Sequence, residues 1–159
     1  MTTPRPTKGY AIKSYREIPS RCGFAFHATL TLNGKKIGEV SNDGNGGGDF
    51  YQFTNRADQD AFDAFAKEWN AGTELAGYGD SDQFVSHLIL GDELNRKKLI
   101  PFHTTQHHYA ETGQYSQFQG VSDLPTLVKI LSGPKWADQD PHIWVREMGD
   151  FVPLEHINL

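Results

Sequence analysis

The sequence contains a single cysteine, Cys22, among 159 residues. One thiol cannot form an intramolecular disulfide, and it offers no paired-cysteine spacing of the kind that binds structural zinc. No apolar run approaches the roughly 20 residues that a membrane-spanning helix needs. The N-terminal segment MTTPRPTKGY also lacks the apolar centre of a signal peptide. These absences predict a soluble cytoplasmic protein that uses neither disulfides nor a membrane.

The common catalytic and nucleotide-binding signatures are also missing. The glycine-rich segment SNDGNGGGD has no lysine and hydroxyl at P-loop positions, and Asp49 stands where a dinucleotide fingerprint needs its third glycine. The sequence has no G-x-S-x-G nucleophile elbow, and Cys22 has no flank typical of a catalytic cysteine. These absences favour a non-enzymatic protein, although they leave an enzyme open, and we predict no cofactor.

Charge is distributed unevenly along the chain. The total is −5, yet residues 1–21 hold five basic residues against one acid. Residues 41–95 hold eleven acids against two bases, a local net charge of −9. An asymmetry of this kind bears on partners and association rates rather than on fold.

The segment after Cys22 has the clearest secondary-structure pattern. Residues 24–32 alternate apolar and polar side chains with the period of two that is typical of a half-buried strand. Asn33 and Gly34 then supply the two positive-φ positions of a tight hairpin turn. With such a turn, paired residue numbers sum to 67, and a bulge at Gly38 is needed to return Val40 to the core face.

The remaining elements follow from hydrophobic periodicity and from capping residues. In chain order they are a possible edge strand (10–15), strands at 35–40 and 50–53, a helix between Asn55 or Thr54 and Gly72, a helix from Asp80 or Ser81 to Gly91, a hairpin over 98–121, a helix from Asp123 to Gly133, a strand at 142–148 and a tail at 149–159.

Leaving out the possible edge strand, the predicted order of elements is βββααββαβ. Runs of strands followed by helices favour an α+β fold, an antiparallel sheet with helices packed on one face. Residues 1–9, with two prolines and a glycine, are predicted to be a flexible basic leader. Residues 10–159 are predicted to form a single α+β domain.

The acidic middle of the chain is the predicted partner-binding surface. Its first helix should present acids to water, and the glycine-rich loop before it should expose its backbone. Such a surface fits a basic groove in a nucleic-acid-handling protein, although acidic residues also serve only to keep small proteins soluble. The predicted binding residues are Asp43, Asn45, Asp49, Asp58, Asp60, Asp63 and Glu68.

Three nearby histidines, His103, His107 and His108, suggest a second class of function. Because residues four apart on a strand are about 13 Å apart, His103 and His107 cannot share one metal ion there. We expect exposed strand and turn histidines. The alternative is a small metal- or nucleotide-dependent enzyme, or a ligand-binding protein, that combines these histidines with Asp43 or Asp49 of the glycine-rich loop.

A nucleic-acid-binding module is the third possibility. It would use the basic leader together with Arg96, Lys97 and Lys98. The acidic middle third would repel phosphates, so direct nucleic-acid binding is less favoured than protein binding.

The stretch FHATLTLNGKKIGEVSNDGNGGGDFYQF resembles a group of small uncharacterised bacterial and bacteriophage proteins. In these an N-G-K-x-x-G hairpin precedes a V-S-N-D-G-x-G-G loop, a strand and an aromatic helix. The resemblance covers about residues 24–148 and brings no catalytic residues. It implies a phage or mobile-element setting, in which small acidic proteins bind a host protein or complex. The favoured hypothesis is therefore a phage-encoded inhibitor, acting in anti-defence or host takeover.

Overall fold

A computed structural model describes residues 4–105, 109 and 113–159 of the chain. Contacts divide these residues into two compact units, an N-terminal unit (residues 7–92) and a C-terminal unit (residues 93–159 with residues 4–6). Each contains an antiparallel sheet, so the predicted α+β class is confirmed. The flexible leader and the single domain stay predictions. No helix in the described ranges has the length and apolar composition needed to cross a membrane.

The N-terminal unit is built on a four-stranded antiparallel meander in the order β1-β2-β3-β4. Its strands are β1 (Tyr10–Ser20), β2 (Gly23–Leu32), β3 (Lys35–Asn42) and β4 (Phe50–Phe53). The predicted edge strand was too short, because β1 continues through Pro19 to Ser20. Proline is tolerated there because β1 is an edge strand, whose outward N–H positions need no partner.

The hairpin between β2 and β3 turns at Asn33 and Gly34, both at positive φ as predicted. The predicted bulge position was wrong by one residue. The extra residue is Ile37, so that Leu30 faces Gly38 and the register beyond it shifts. Ile37 and Val40 are consequently both buried in the core.

Packing explains why Gly38 is needed even though it is not the bulged residue. A side chain at Gly38 would place its Cβ 2.7 Å from the carbonyl oxygen of Gln52 and 2.9 Å from the Cα of Phe53. Both atoms belong to the backbone of β4 and cannot give way cheaply. Glycine therefore permits the close approach of β3 and β4.

Two helices cover the core face of this sheet. Helix α1 (Arg56–Asn70) begins where Asn55 accepts a hydrogen bond from the backbone N–H of Asp58, the predicted cap. Helix α2 (Asp80–Asn95) extends past the predicted end at Gly91. Ala57 and Ala61, whose spacing predicts the inward face of α1, are exposed.

Phe62 lies at the centre of an aromatic core that these helices form with the sheet. It is fully buried, and its ring lies 5.4 Å from Tyr10, 6.1 Å from Tyr51 and 5.5 Å from both Phe53 and Phe84, between ring centroids. Edge-to-face and tilted pairs of this kind contribute about 0.5–1.5 kcal/mol each beyond burial of their area. The core therefore ties β1 and β4 to both helices.

The C-terminal unit contains a three-stranded antiparallel sheet in the order β5-β6-β7. Its elements are β5 (Phe102–His103), α3 (Leu124–Leu131), a 3₁₀ turn (Pro134–Trp136), β6 (His142–Val145), β7 (Asp150–Pro153) and a second 3₁₀ turn (Leu154–His156). Asp123 caps α3 as predicted, accepting a hydrogen bond from the Thr126 N–H.

Two predictions in this unit were wrong. The hairpin over 98–121 reduces to the two-residue β5 and an isolated bridge from Phe102 to Ser116. The middle of that segment, 106–108 and 110–112, lies outside the described residues. The last strand ends at Val145, and the chain turns through Gly149 at positive φ into β7, where a tail was predicted. Phe151 and Val152 are buried there.

Candidate binding surface

The glycine-rich loop is organised by the side chain of Asn42. Its Oδ1 accepts a 2.8 Å hydrogen bond from the Gly44 N–H. Its Nδ2 donates to the Gly47 carbonyl oxygen at 3.1 Å and to Oδ1 of Asp49 at 2.9 Å. One amide thus fixes both ends of the loop. The sequence analysis predicted an exposed backbone for this loop and did not identify the role of Asn42.

Gly44 attaches the loop to the β1–β2 hairpin. Its carbonyl oxygen accepts hydrogen bonds from the Ser20 hydroxyl at 2.8 Å and the Cys22 N–H at 3.1 Å. Its φ is +74°, and a Cβ at this position would overlap the Ser20 hydroxyl. Glycine is required on both counts.

Asp82, in the first turn of α2, connects the end of the loop to the helices. Its Oδ1 accepts a 2.6 Å hydrogen bond from the Tyr51 hydroxyl, and its Oδ2 accepts a 3.1 Å hydrogen bond from the Asp49 N–H. Gly48 allows this approach, since a Cβ there would lie 3.1 Å from Oδ2 of Asp82. Sequence reasoning counted Asp82 among the acids but did not assign it to the surface.

Burial and nearby carboxylates shift the pKa values of Asp49 and Tyr51. Partial burial raises the pKa of Asp49, and the charge of Asp82 raises it further, while the hydrogen bond from Asn42 opposes the shift. Burial, the hydrogen bond to Asp82 and the charges of Asp82, Asp49 and Asp63 raise the pKa of Tyr51. The phenol therefore remains a hydrogen-bond donor, and three like charges are held close together.

The other predicted residues lie at the start and end of α1 and in the loop. Asp60 forms a 2.9 Å ion pair with Arg56 at i,i+4 spacing, which partly neutralises the start of the helix. Asp58 lies in the first turn, and Glu68 is exposed in the last turn. In the loop, Asp43 accepts a 3.0 Å hydrogen bond from the Asn45 N–H. The structure thus groups Asp49 and Asp63 with Asp82, since the charges of these three carboxylates all raise the pKa of Tyr51. None of the other predicted binding residues contributes to that shift.

Asp63 belongs to the group through α2. Its Oδ1 accepts a 2.8 Å hydrogen bond from the Ser81 hydroxyl, next to Asp82 in the sequence. We call Asp82 and the seven predicted binding residues the acidic surface: Asp43, Asn45, Asp49, Asp58, Asp60, Asp63, Glu68 and Asp82.

The histidine alternative gains no metal site from the geometry. Within residues 4–105, 109 and 113–159, no group of three or more His, Cys, Asp or Glu side chains is arranged to hold a metal ion. His103 is only 4% exposed and stacks on His142 with ring centroids 4.8 Å apart, so the expectation of an exposed side chain was wrong for this residue. His107 and His108 lie outside the described residues. The histidine-dependent enzyme stays a prediction.

Neither protein-family models, nor curated proteins, nor solved structures gave a match to this chain.

Proposed function

We propose that this chain is a non-enzymatic binding protein whose acidic surface docks into a basic groove of a nucleic-acid-handling protein or complex. The observation that supports this proposal is the grouping of Asp49, Asp63 and Asp82 around Tyr51. Hydrogen bonds from loop, strand and helix hold these carboxylates in place before any partner arrives. A preorganised anionic patch loses little conformational entropy on binding.

The raised pKa of Asp49 gives the proposal a physical rationale. Partial burial and repulsion by the charge of Asp82 both disfavour the ionised form of Asp49, so ionisation of this group lowers the stability of the folded chain. A lysine or arginine of a partner would relieve that repulsion. Complementary charge of this kind increases the rate of encounter and fixes orientation more than it raises affinity, and its effect falls as salt increases.

The resemblance to small bacterial and bacteriophage proteins supports a more specific form of the proposal. In that form the chain is phage-encoded, acts in the host cytoplasm and inhibits a defence or nucleic-acid-handling complex. An acidic face that occupies a basic nucleic-acid groove would compete directly with the nucleic acid for its binding site.

The test is affinity capture from bacterial lysate at about 50 mM and about 500 mM salt, followed by purification of the captured protein and titration with the chain. The surface variant carries Asp60→Lys, Asp63→Lys and Glu68→Lys. A control variant with the same change in charge carries Asp138→Lys, Glu147→Lys and Glu155→Lys, all exposed in the C-terminal unit.

We expect a nucleic-acid-handling protein that binds the natural chain and the control at low salt, dissociates at high salt and does not bind the surface variant. DNA or RNA should compete with the chain for the purified partner. Capture of no protein, or equal capture by both variants, would refute the proposal.

A further inference from the structure

The sheet of the N-terminal unit has a second face that its helices do not cover. Helices α1 and α2 pack on the face that carries Ile12, Ala28 and Val40. The alternate positions of the strands point away from these helices. We call this side the outer sheet face, with Lys13, Arg16, Ile18, His27, Phe50 and Gln52 as its principal residues.

A bulge in β1 brings two cations to this face. Lys13 pairs with Thr29 and Arg16 pairs with His27, so β1 has one more residue than β2 over this interval. Ser14 lies within this bulge at a φ of +55°. Because the bulge reverses the alternation, Lys13 and Arg16 point to the same side of the sheet.

Phe50 is the most unusual residue of the outer sheet face. It is 64% exposed, although its neighbours Tyr51 and Phe53 pack in the core. Phe50 pairs with Ser41 on β3, and Ser41 pairs with His27 on β2. Phe50 and His27 are therefore two strands apart, which is about 10 Å at ordinary strand spacing. An exposed phenylalanine and an exposed imidazole thus lie on one flat surface.

The charges of this face favour an anionic ligand. Among the described residues no carboxylate forms an ion pair with Lys13 or Arg16. The nearby acid on this face, Glu39, is already paired with Lys36 at 3.1 Å and lies 3.9 Å from His27. The face therefore offers unpaired positive charge on β1 next to His27, with Phe50 on β4 at the other edge of the sheet.

We propose that the outer sheet face binds single-stranded RNA. Open sheets recognise single strands by stacking bases on exposed rings while cations contact the phosphates. Phe50 and His27 would stack two bases, and Lys13 and Arg16 would contact the backbone. Gln52 and Ser41 lie beside Phe50 and supply the donors and acceptors that a 2′-hydroxyl requires, which favours RNA over DNA.

The acidic surface does not prevent this binding. Its α1 residues belong to the helix layer on the opposite side of the sheet, and at physiological salt charges are screened over about 8 Å. Asp49 directly precedes Phe50 and is closer, but its carboxylate is held by a 2.9 Å hydrogen bond from Asn42, whose register places it on the core side of β3. The RNA site uses none of the residues of the acidic surface. The tests of protein binding by the acidic surface and of RNA binding by the outer sheet face can therefore fail independently.

The experiment is fluorescence anisotropy with a 5′-labelled 12-nucleotide single strand of mixed sequence, as RNA and as DNA, from about 50 to 300 mM salt. Phe50→Ala tests stacking, and its control is Tyr78→Ala, which removes a ring that is 74% exposed in the loop between α1 and α2. Lys13→Ala with Arg16→Ala tests phosphate contact. Its control is Arg56→Ala with Lys67→Ala, an equal loss of charge on α1. Circular dichroism melts establish that each variant is folded.

Loss of one stacked base should weaken RNA binding about tenfold for Phe50→Ala and leave Tyr78→Ala unchanged. The Lys13 and Arg16 double variant should reduce the slope of log affinity against log salt by about 0.7 per lost phosphate contact. The control should keep the natural slope.

Several results would overturn the proposal. They are the absence of RNA binding at the lowest salt, equal loss of binding in the control variants, and DNA binding as tight as RNA binding. Retention of an acidic protein by this face, with no RNA bound, would also overturn it.

Discussion

The hydroxyl group of Tyr51 donates a 2.6 Å hydrogen bond to Oδ1 of Asp82, joining β4 to the first turn of α2. Because the acceptor is a carboxylate in a partly buried site, the bond should contribute more than a neutral one. We expect Tyr51→Phe to lower the free energy of unfolding by about 1.5–3 kcal/mol. Denaturant melts measure this change, and Tyr78→Phe, at an exposed site, should leave the stability unaltered.

Asp49→Asn should stabilise the fold and weaken the proposed protein binding. The folded chain raises the pKa of Asp49 above its ordinary value of 3.8, so ionisation of this group opposes folding. Stability of the natural chain should therefore fall as pH rises from the ordinary pKa through the raised one. Asparagine retains the oxygen that accepts the hydrogen bond from Asn42 but carries no charge.

The measurement for Asp49 is the difference in melting temperature between Asp49→Asn and the natural chain from pH 4 to pH 7. This difference should be positive at neutral pH and should shrink toward pH 4. A variant that is less stable than the natural chain at pH 7 would contradict this account of the acidic surface.

Asp123→Ala should destabilise helix α3, whereas Asp123→Asn should largely preserve it, because both Asp and Asn are good N-caps. The hydrogen bond with Thr126 lowers the pKa of Asp123. The charge-dependent part of its contribution to stability is thus complete above the ordinary pKa and is lost as pH falls through the lowered value. Because a protonated carboxyl, like asparagine, keeps an oxygen that can accept the hydrogen bond, melting curves should show a larger destabilisation by Asp123→Ala at pH 7 than near pH 2.5. An equal effect of Asp123→Ala at both pH values would argue against an ionised carboxylate as the cap.

Gly44→Ala should destabilise the N-terminal unit and release the glycine-rich loop. The left-handed backbone costs an L-residue about 1–2 kcal/mol, to which the overlap with Ser20 adds. Gly47→Ala is the matched control, since a Cβ there meets nothing within 4 Å and its φ is not positive. Hydrogen exchange should show faster exchange of the Cys22 amide in Gly44→Ala alone. Unchanged exchange at that amide would mean that the loop does not depend on Gly44.

Local interactions account for the parts of the fold that the sequence predicted. Helix α1 begins directly after Asn55 because the cap and the amide that it binds are three residues apart, and the Asn33-Gly34 turn is specified by its own two residues. The bulge position was not predictable in the same way. It depends on how closely β4 approaches Gly38, a contact between residues that are distant in sequence.

The acidic surface, like the bulge, depends on contacts between residues that are distant in sequence. Asp82 acts on Asp49 and Tyr51, which precede it by 33 and 31 residues, so no local pattern identifies it. The burial of His103 likewise depends on pairing with His142 across the sheet of the C-terminal unit. Residue type identified Asp82 as one of many acids and His103 as a possible ligand. Their environment follows only from tertiary contacts.

The bulge and Pro19 in β1 also affect how copies of this chain behave toward one another. A sheet with long, regular edge strands can extend by pairing with a neighbouring molecule, which leads to aggregation. Here one edge strand is interrupted by the bulge and by a proline that lacks an N–H, and the other, β4, has only four residues. Neither edge offers a long template for strand addition. We therefore expect copies of the chain not to associate through the edges of this sheet, while its outer face remains accessible.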